Sequence, residues 1–387
     1  MANGVFKYED DLLKHHIRTT AWLPLCKERL ATLRAEATRP KDQRRLRYFT
    51  FCAVGAIDVL MLDVAKVIRQ SSDGRFDTVF FFDRKPEDVL ETQKRIPGAI
   101  GFPGDFTSVV LAQDPDEDTV IDSDAPLGPA LNSADVRETR LNQLLVSQRR
   151  DFIQNFPFDV INLDLEEFLL KPDDEFPGRV IGALRNIFKW QKRALNIPGR
   201  PPRSLDGFSL MFTTQIGPPN LTDEYLGMLR DRISNNLASD GELPQIMVRR
   251  TGLDDPTLLQ QRQFETFFKI GMPKVLTSIL MDADWYVDAE HGLRIYEIER
   301  PFDGGSYKML HLVMDVKRHN PPEDRRAPGD HSAEAQQAYR TLVRQVFSTP
   351  ETVVSADTID EAGLQADLDL IKARRRKYYD PEAEDGQ

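Results

Sequence analysis

The chain has 387 residues, room for one elaborated domain or for two to three modest ones. Its 40% hydrophobic and 29% charged residues are ordinary globular proportions, which excludes a disordered or fibrous chain. A net charge of −11 excludes a uniformly basic surface, and the 2 cysteines, Cys26 and Cys52, exclude a disulfide framework or a cysteine zinc cluster.

Residues 9–36 open the chain with a helical rhythm through Leu12, Leu13, Ile17, Trp22, Leu25, Leu30 and Leu33, which Pro24 splits or kinks. A basic linker, residues 39–47, leads to the first strand, expected over 48–54 from its aromatic and β-branched residues. Past Gly55 the spacing of Val59, Leu60, Leu62, Val64, Val67 and Ile68 turns helical. A second strand is expected over 78–82, a short helix over 87–94, and a third strand near the start of 98–106. The acidic run 114–124 reads as an exposed excursion. A helix (140–155), a buried strand (158–163), a helix (178–195) and a fifth strand (208–214) come next. Residues 222–282 are mostly helical, and alternating strands at 293–299 and 308–317 flank a glycine turn as an antiparallel hairpin. Two helices, one about 332–347 and one ending in the basic run 372–377, precede an acidic tail. The expected fold is therefore α/β: a doubly wound, Rossmann-like sheet of five parallel strands closed by a C-terminal antiparallel hairpin, with added helical segments. In domain terms this gives an N-terminal helical extension (1–45), an α/β core (46–320) with a helical insertion about 222–290, and a C-terminal extension (321–387).

Such sheets bind ligands outside the carboxyl ends of their strands, near the point where strand order reverses. The first such turn, Phe51-Cys-Ala-Val-Gly-Ala-Ile-Asp58, holds small residues at Ala53 and Gly55 that let backbone approach a ligand, and Asp58 enters the next helix. Asp83 ends the second strand, where a carboxylate accepts both hydroxyls of a ribose or simply caps the next helix. Asp105 and Phe106 end the third, where they suit an adenine amino group and ring or form a plain turn. On the fourth strand Asn162, Asp164 and Glu166 alternate, so they share one face while the chain stays extended. An amide with two carboxylates orients an amine or takes a proton, though a solvated acidic loop reads the same way.

Taken together, Tyr48–Asp58, Phe82-Asp83, Gly104-Asp105-Phe106, Asp159–Asp164 and the hairpin at 293–317 resemble a class I S-adenosylmethionine-dependent methyltransferase. Asp159-Val-Ile-Asn-Leu-Asp164 is similar to a pattern of tRNA guanine N2-methyltransferases, and residues 48–60 look like uncharacterised bacterial proteins of this general fold. The resemblance implies S-adenosyl-L-methionine as cofactor, with Ala53, Gly55 and Asp58 at its methionine end. It puts Asp83 on the ribose, Asp105 and Phe106 around the adenine, and Asn162, Asp164 and Glu166 toward the transferred methyl. The first turn lacks repeated glycines, and the fourth strand lacks the Pro-Pro-aromatic that clamps a flipped base.

The expected function is methyl transfer to a nucleic acid or similar partner, touched through the basic patches 39–47 and 372–377. The alternative is a catalytically silent binding subunit of a larger bacterial assembly, for instance in defence, that meets a protein partner through the added helices. His15, His16, His291, His311, His319 and His331 show no helical pairing, so no metal is expected. No apolar run approaches the ~20 residues of a membrane span, and the polar N-terminus is unlike a signal peptide, so a cytoplasmic protein with no membrane contact is expected.

Overall fold

The structure, a computed structural model, describes residues 11–35, 44–51, 55–68, 74–112, 136–165, 179–195, 207–216, 223–288, 293–302, 305–318 and 333–379. Asp11 caps α1 (Leu12–Ile17), its carboxylate accepting from the Leu13 amide at 2.8 Å. A π-helical turn, Arg18–Trp22, joins α1 to α2 (Leu23–Ala35). Pro24 follows directly on that turn, whose wider spacing makes room for the ring within the continuous run. The sequence reading of one kinked helix or two resolves into a single run with a π turn.

Strands and helices then alternate: β1 (Tyr48–Thr50), α3 (Ile57–Val64), β2 (Val79–Asp83), α4 (Pro86–Arg95), β3 (Ile100–Pro103), α5 (Phe106–Leu111) and α6 (Val136–Ile153). After them come β4 (Val160–Asp164), α7 (Arg179–Leu195) and β5 (Gly207–Ile216). The expected insertion is four helices, α8 (Asp223–Ser239), α9 (Leu243–Thr251), α10 (Pro256–Arg262) and α11 (Phe264–Asp282), ending in β6 (Trp285–Val287). The hairpin is β7 (Leu293–Phe302) and β8 (Gly305–Arg318), and α12 (Ala333–Ser348), β9 (Thr352–Val354) and α13 (Glu361–Tyr379) close the described chain. Helix α5 and the three-residue strands β6 and β9 have no counterpart in the sequence reading. The acidic run 114–124 and the acidic tail lie outside the described residues.

One open, mixed sheet of 9 strands results, ordered β3-β2-β1-β4-β5-β8-β7-β9, with β6 beside β8. Strands β1 to β5 are mutually parallel; β8 runs antiparallel to β5 and β7, and β9 runs parallel to β7. Alternation along the strands divides the core in two. Phe49, Phe80, Phe82, Ile161, Leu163, Phe208 and Phe212 point to one face, packed under α5 to α12. Tyr48, Phe81, Val160, Met211 and Val313 point to the other, under α1 to α4 and α13. The N-terminal helices and α13 therefore share one face, while α12 joins the insertion helices on the opposite one.

Candidate functional site

The strand order reverses between β1 and β4, so the carboxyl ends of β1 to β4 form the crevice where ligands collect in open α/β sheets. Thr50 pairs in register with Asn162, which sets Tyr48, Thr50, Asn162 and Asp164 on the face shared with α3. Asp58 rises from the first turn of α3 into this group and is 8% exposed. Its Oδ2 accepts from the Thr50 hydroxyl at 2.9 Å and from the Tyr48 hydroxyl at 3.1 Å. The Asn162 amide nitrogen in turn donates to the Tyr48 oxygen at 2.9 Å. Burial, reinforced by the Asp58 carboxylate, drives the Tyr48 hydroxyl and the neighbouring Cys26 thiol far above their usual pKa values, so both stay protonated around that charge.

This bonding fixes how the Asn162 side chain lies. Tyr48 and Thr50 spend their protons on Asp58, so they can only accept, and the Asn162 NH₂ has to face them. Its Oδ1 is left buried with no hydrogen-bond partner among the described residues, although Asn162 is only 1% exposed. A buried amide oxygen without a donor is costly, ~1–3 kcal/mol, and here it stands two residues from the carboxyl end of β4.

The remaining expected residues divide by what they touch. Gly55 is buried in the turn after β1, and the left-handed position belongs to its neighbour Ala56, at φ 51°. Asp83 is half-buried at the end of β2 and accepts local backbone hydrogen bonds, from the Lys85 amide at 3.1 Å and from that of Arg84. Desolvation, aided by Asp88, raises its carboxyl above the ordinary range against those hydrogen bonds and the Lys85 charge. Asp105 caps α5, its Oδ1 accepting from the Ser108 amide at 3.0 Å and the Thr107 hydroxyl at 2.6 Å. Burial alone would raise the Asp105 carboxyl, but those bonds and the Arg179 guanidinium outweigh it and hold it low. Phe106 packs edge-on against Phe51 and Phe82, 4.8 and 5.3 Å between centroids, inside the phenylalanine core. Asp164 ends β4 in an ion pair with Lys14 of α1. Ala53 and Glu166 lie outside the described residues.

Sequence reasoning missed Tyr48, Thr50 and Lys14. The first two were legible as polar residues alternating within an apolar strand. Lys14 carries no local signal, because its partner is far along the chain.

Three cations of the two basic patches, Arg45, Arg47 and Arg374, are engaged within the protein. Arg45 pairs with Asp77 at 2.5 Å, and Arg374 with Asp63 at 2.9 Å. The Arg47 guanidinium lies 4.5 Å from the Phe80 ring centre and donates to the Pro157 carbonyl at 3.0 Å. Among the described residues no group of three or more His, Cys, Asp or Glu side chains is arranged to hold a metal, and no helix is long and apolar enough to cross a membrane. No protein-family model, curated protein or solved structure matches the chain.

Proposed function

We propose that this protein is an S-adenosylmethionine-dependent methyltransferase of the class I kind, with its cofactor across the carboxyl ends of β1 to β4. The observation that carries the reading is the strand plan. Five parallel strands are ordered β3-β2-β1-β4-β5, and the antiparallel β8 is inserted between β5 and β7. That is the chain order the resemblance calls for, and nicotinamide-binding folds usually lack such an ending. The residues fit the cofactor at the points that matter most. Asp83 offers a half-buried carboxylate, raised by desolvation, to the ribose hydroxyls. Gly55 lets backbone approach the methionine end, with Asp58 bracing the turn from below. Asp105 and Phe106 stand on the adenine side, at the end of β3.

When bound, S-adenosylmethionine supplies a methyl group on a positively charged sulfur, open to attack by a nitrogen. Asn162 Oδ1 is a ready acceptor for an N–H of that nucleophile. Asp164, at the strand end, orients the nucleophile and takes the proton it gives up. A nucleic acid or similar partner remains the proposed acceptor-bearing molecule.

A second reading, a catalytically silent subunit that binds through its added helices, is favoured by one observation: Lys14 already occupies Asp164. Calorimetric titration with S-adenosylmethionine separates the two. Binding well below ~1 mM, lost in Asp83→Ala, is the expected result. No heat at ~1 mM overturns the methyltransferase reading. Binding unchanged in Asp83→Ala overturns the ribose assignment.

A further inference from the structure

Strands β7 and β8 outrun the sheet that holds them. The ladder between β5 and β8 ends at Ile216 and Lys308, and Ile216 is the last residue of β5. On the other side, β9 accompanies β7 only as far as Ile298. The hairpin continues, with Glu299 opposite Lys308, Arg300 opposite Tyr307, Pro301 opposite Ser306 and Phe302 opposite Gly305. Among the described residues, 299–302 and 305–307 thus have strand partners only in each other. They make a two-stranded ribbon that runs past the sheet for about 13 Å, at ~3.3 Å per residue. Because β5 is parallel to β4, the ribbon leaves at the carboxyl ends, where the proposed cofactor crevice lies. Three strand spacings separate β7 from β4, about 14 Å at ~4.8 Å each.

The register sorts the ribbon by face. Ile298 and Met309, a directly opposed pair, both belong to the core on the side of the sheet covered by α1 to α4 and α13. Residues in even steps along each strand fall on that same side, which places Arg300, Phe302 and Tyr307 together on it, with Gly305 opposite Phe302. It is also the face of Tyr48, Thr50, Asn162 and Asp164. Glu299, Pro301, Ser306 and Lys308 fall on the reverse face, where Lys308 reaches Glu265 of α11. One face of the ribbon therefore gathers an arginine and two aromatic residues, with no acidic residue among them.

We propose that this face of the β7–β8 ribbon is a docking platform for single-stranded nucleic acid, on which an unpaired base stacks beside the strand-end site. Every base presents a flat π face that stacks on phenylalanine, tyrosine or arginine, and the arginine also meets phosphate. A duplex keeps its bases stacked on one another and offers no such face. A net charge of −11 argues against a broad phosphate-binding surface, so a local contact led by stacking is what suits this chain. Strand addition by a protein partner is disfavoured here, since Pro301 lacks an amide that an added strand would bond. The platform itself is independent of the methyltransferase reading. Placing the docked strand's methyl acceptor at Asn162 and Asp164 rests on that reading.

Fluorescence anisotropy of the full-length protein, without S-adenosylmethionine, tests the platform with labelled single-stranded RNA and DNA oligonucleotides about 12 nucleotides long. Phe302→Leu and Tyr307→Leu keep apolar bulk and remove the ring, whereas Tyr307→Phe keeps the ring. At least one oligonucleotide is expected to bind, about tenfold more weakly to each leucine variant and undiminished to Tyr307→Phe. Arg300→Gln should reduce the salt dependence by roughly one phosphate contact. The matching duplex should bind at least ~10-fold more weakly than the single strand. The proposal is overturned if neither oligonucleotide binds at ~100 μM protein, which leaves the ribbon to a protein partner. It is equally overturned if the duplex binds as well as the single strand, or if both leucine variants bind like the unaltered chain. Oligonucleotide binding is read without cofactor, and cofactor affinity by calorimetry without oligonucleotide, so either reading can fail while the other stands.

Discussion

Lys274 sits in the middle of α11, 1% exposed, with its Nζ 3.8 Å from the Phe347 ring centre on α12. No hydrogen bond reaches that nitrogen among the described residues. Burial therefore pushes its pKa well below the ordinary lysine value, so the folded protein gives up this proton at a lower pH than the unfolded chain. Between the two pKa values the unfolded state binds one more proton, so this residue works against folding increasingly as pH falls from about 10.4. Lys274→Met keeps the stem and removes the nitrogen. It is expected to stabilise the protein at pH 7 by ~1–3 kcal/mol, and by less at pH 10. Thermal melts at the two pH values check this, and an equal gain at both would exclude the protonation argument.

At the scale of elements, the join between β5 and β8 decides whether the hairpin closes the sheet. Gly207 opens β5 opposite Lys317, and a Cβ there would lie 2.0 Å from the Val316 carbonyl oxygen and 3.1 Å from the Lys317 Cα. Both neighbours are backbone, so no side chain can swing away to make room. Gly207→Ala is expected to part the strands at that end and cost ~1–3 kcal/mol, seen as a lower unfolding midpoint in urea. Amides of β8 near Val316 should lose exchange protection first. The sequence placed this strand and the hairpin from aromatic and β-branched alternation, but the glycine's reason is a contact across more than a hundred residues. Strands β6 and β9 escaped the same reading because three residues are too few to display an alternating pattern.

Across the whole molecule, the insertion is bound to the sheet by charge as well as by apolar packing. Lys269 of α11 pairs with Glu297 of β7 and, at 2.6 Å, with Glu351 ahead of β9. Lys308 of β8 reaches Glu297 at 3.1 Å and Glu265 at 2.8 Å, and Arg250 of α9 reaches Glu351 at 2.9 Å. Lys269 and Glu297 are 5% and 4% exposed, so removing Lys269 leaves the buried Glu297 carboxylate with only part of its compensating charge, from the half-exposed Lys308. Lys269→Met should cost about 3 kcal/mol in urea unfolding, with Glu297→Gln on the same background recovering part of it. If the double variant is no more stable than the single one, the network does not hold the insertion in this way.

The sequence by itself determined the longer elements of this protein, because the periods of 2 and 3.6 and the turn residues are local quantities. The strand at 78–82, the strand at 158–163 and the hairpin all return within a residue or a few of their expected bounds. It also placed Asp83, Asp105 and Asn162 at strand ends, since a strand end is visible wherever apolar alternation stops. Only the tertiary structure decided what those residues face. Asp105 is occupied in capping its own helix, Asn162 is turned by Tyr48 and Thr50 so that its oxygen is unmet, and Asp164 is paired with Lys14. Charge pairing and burial depend on distances between segments far apart along the chain, and no local pattern encodes those distances.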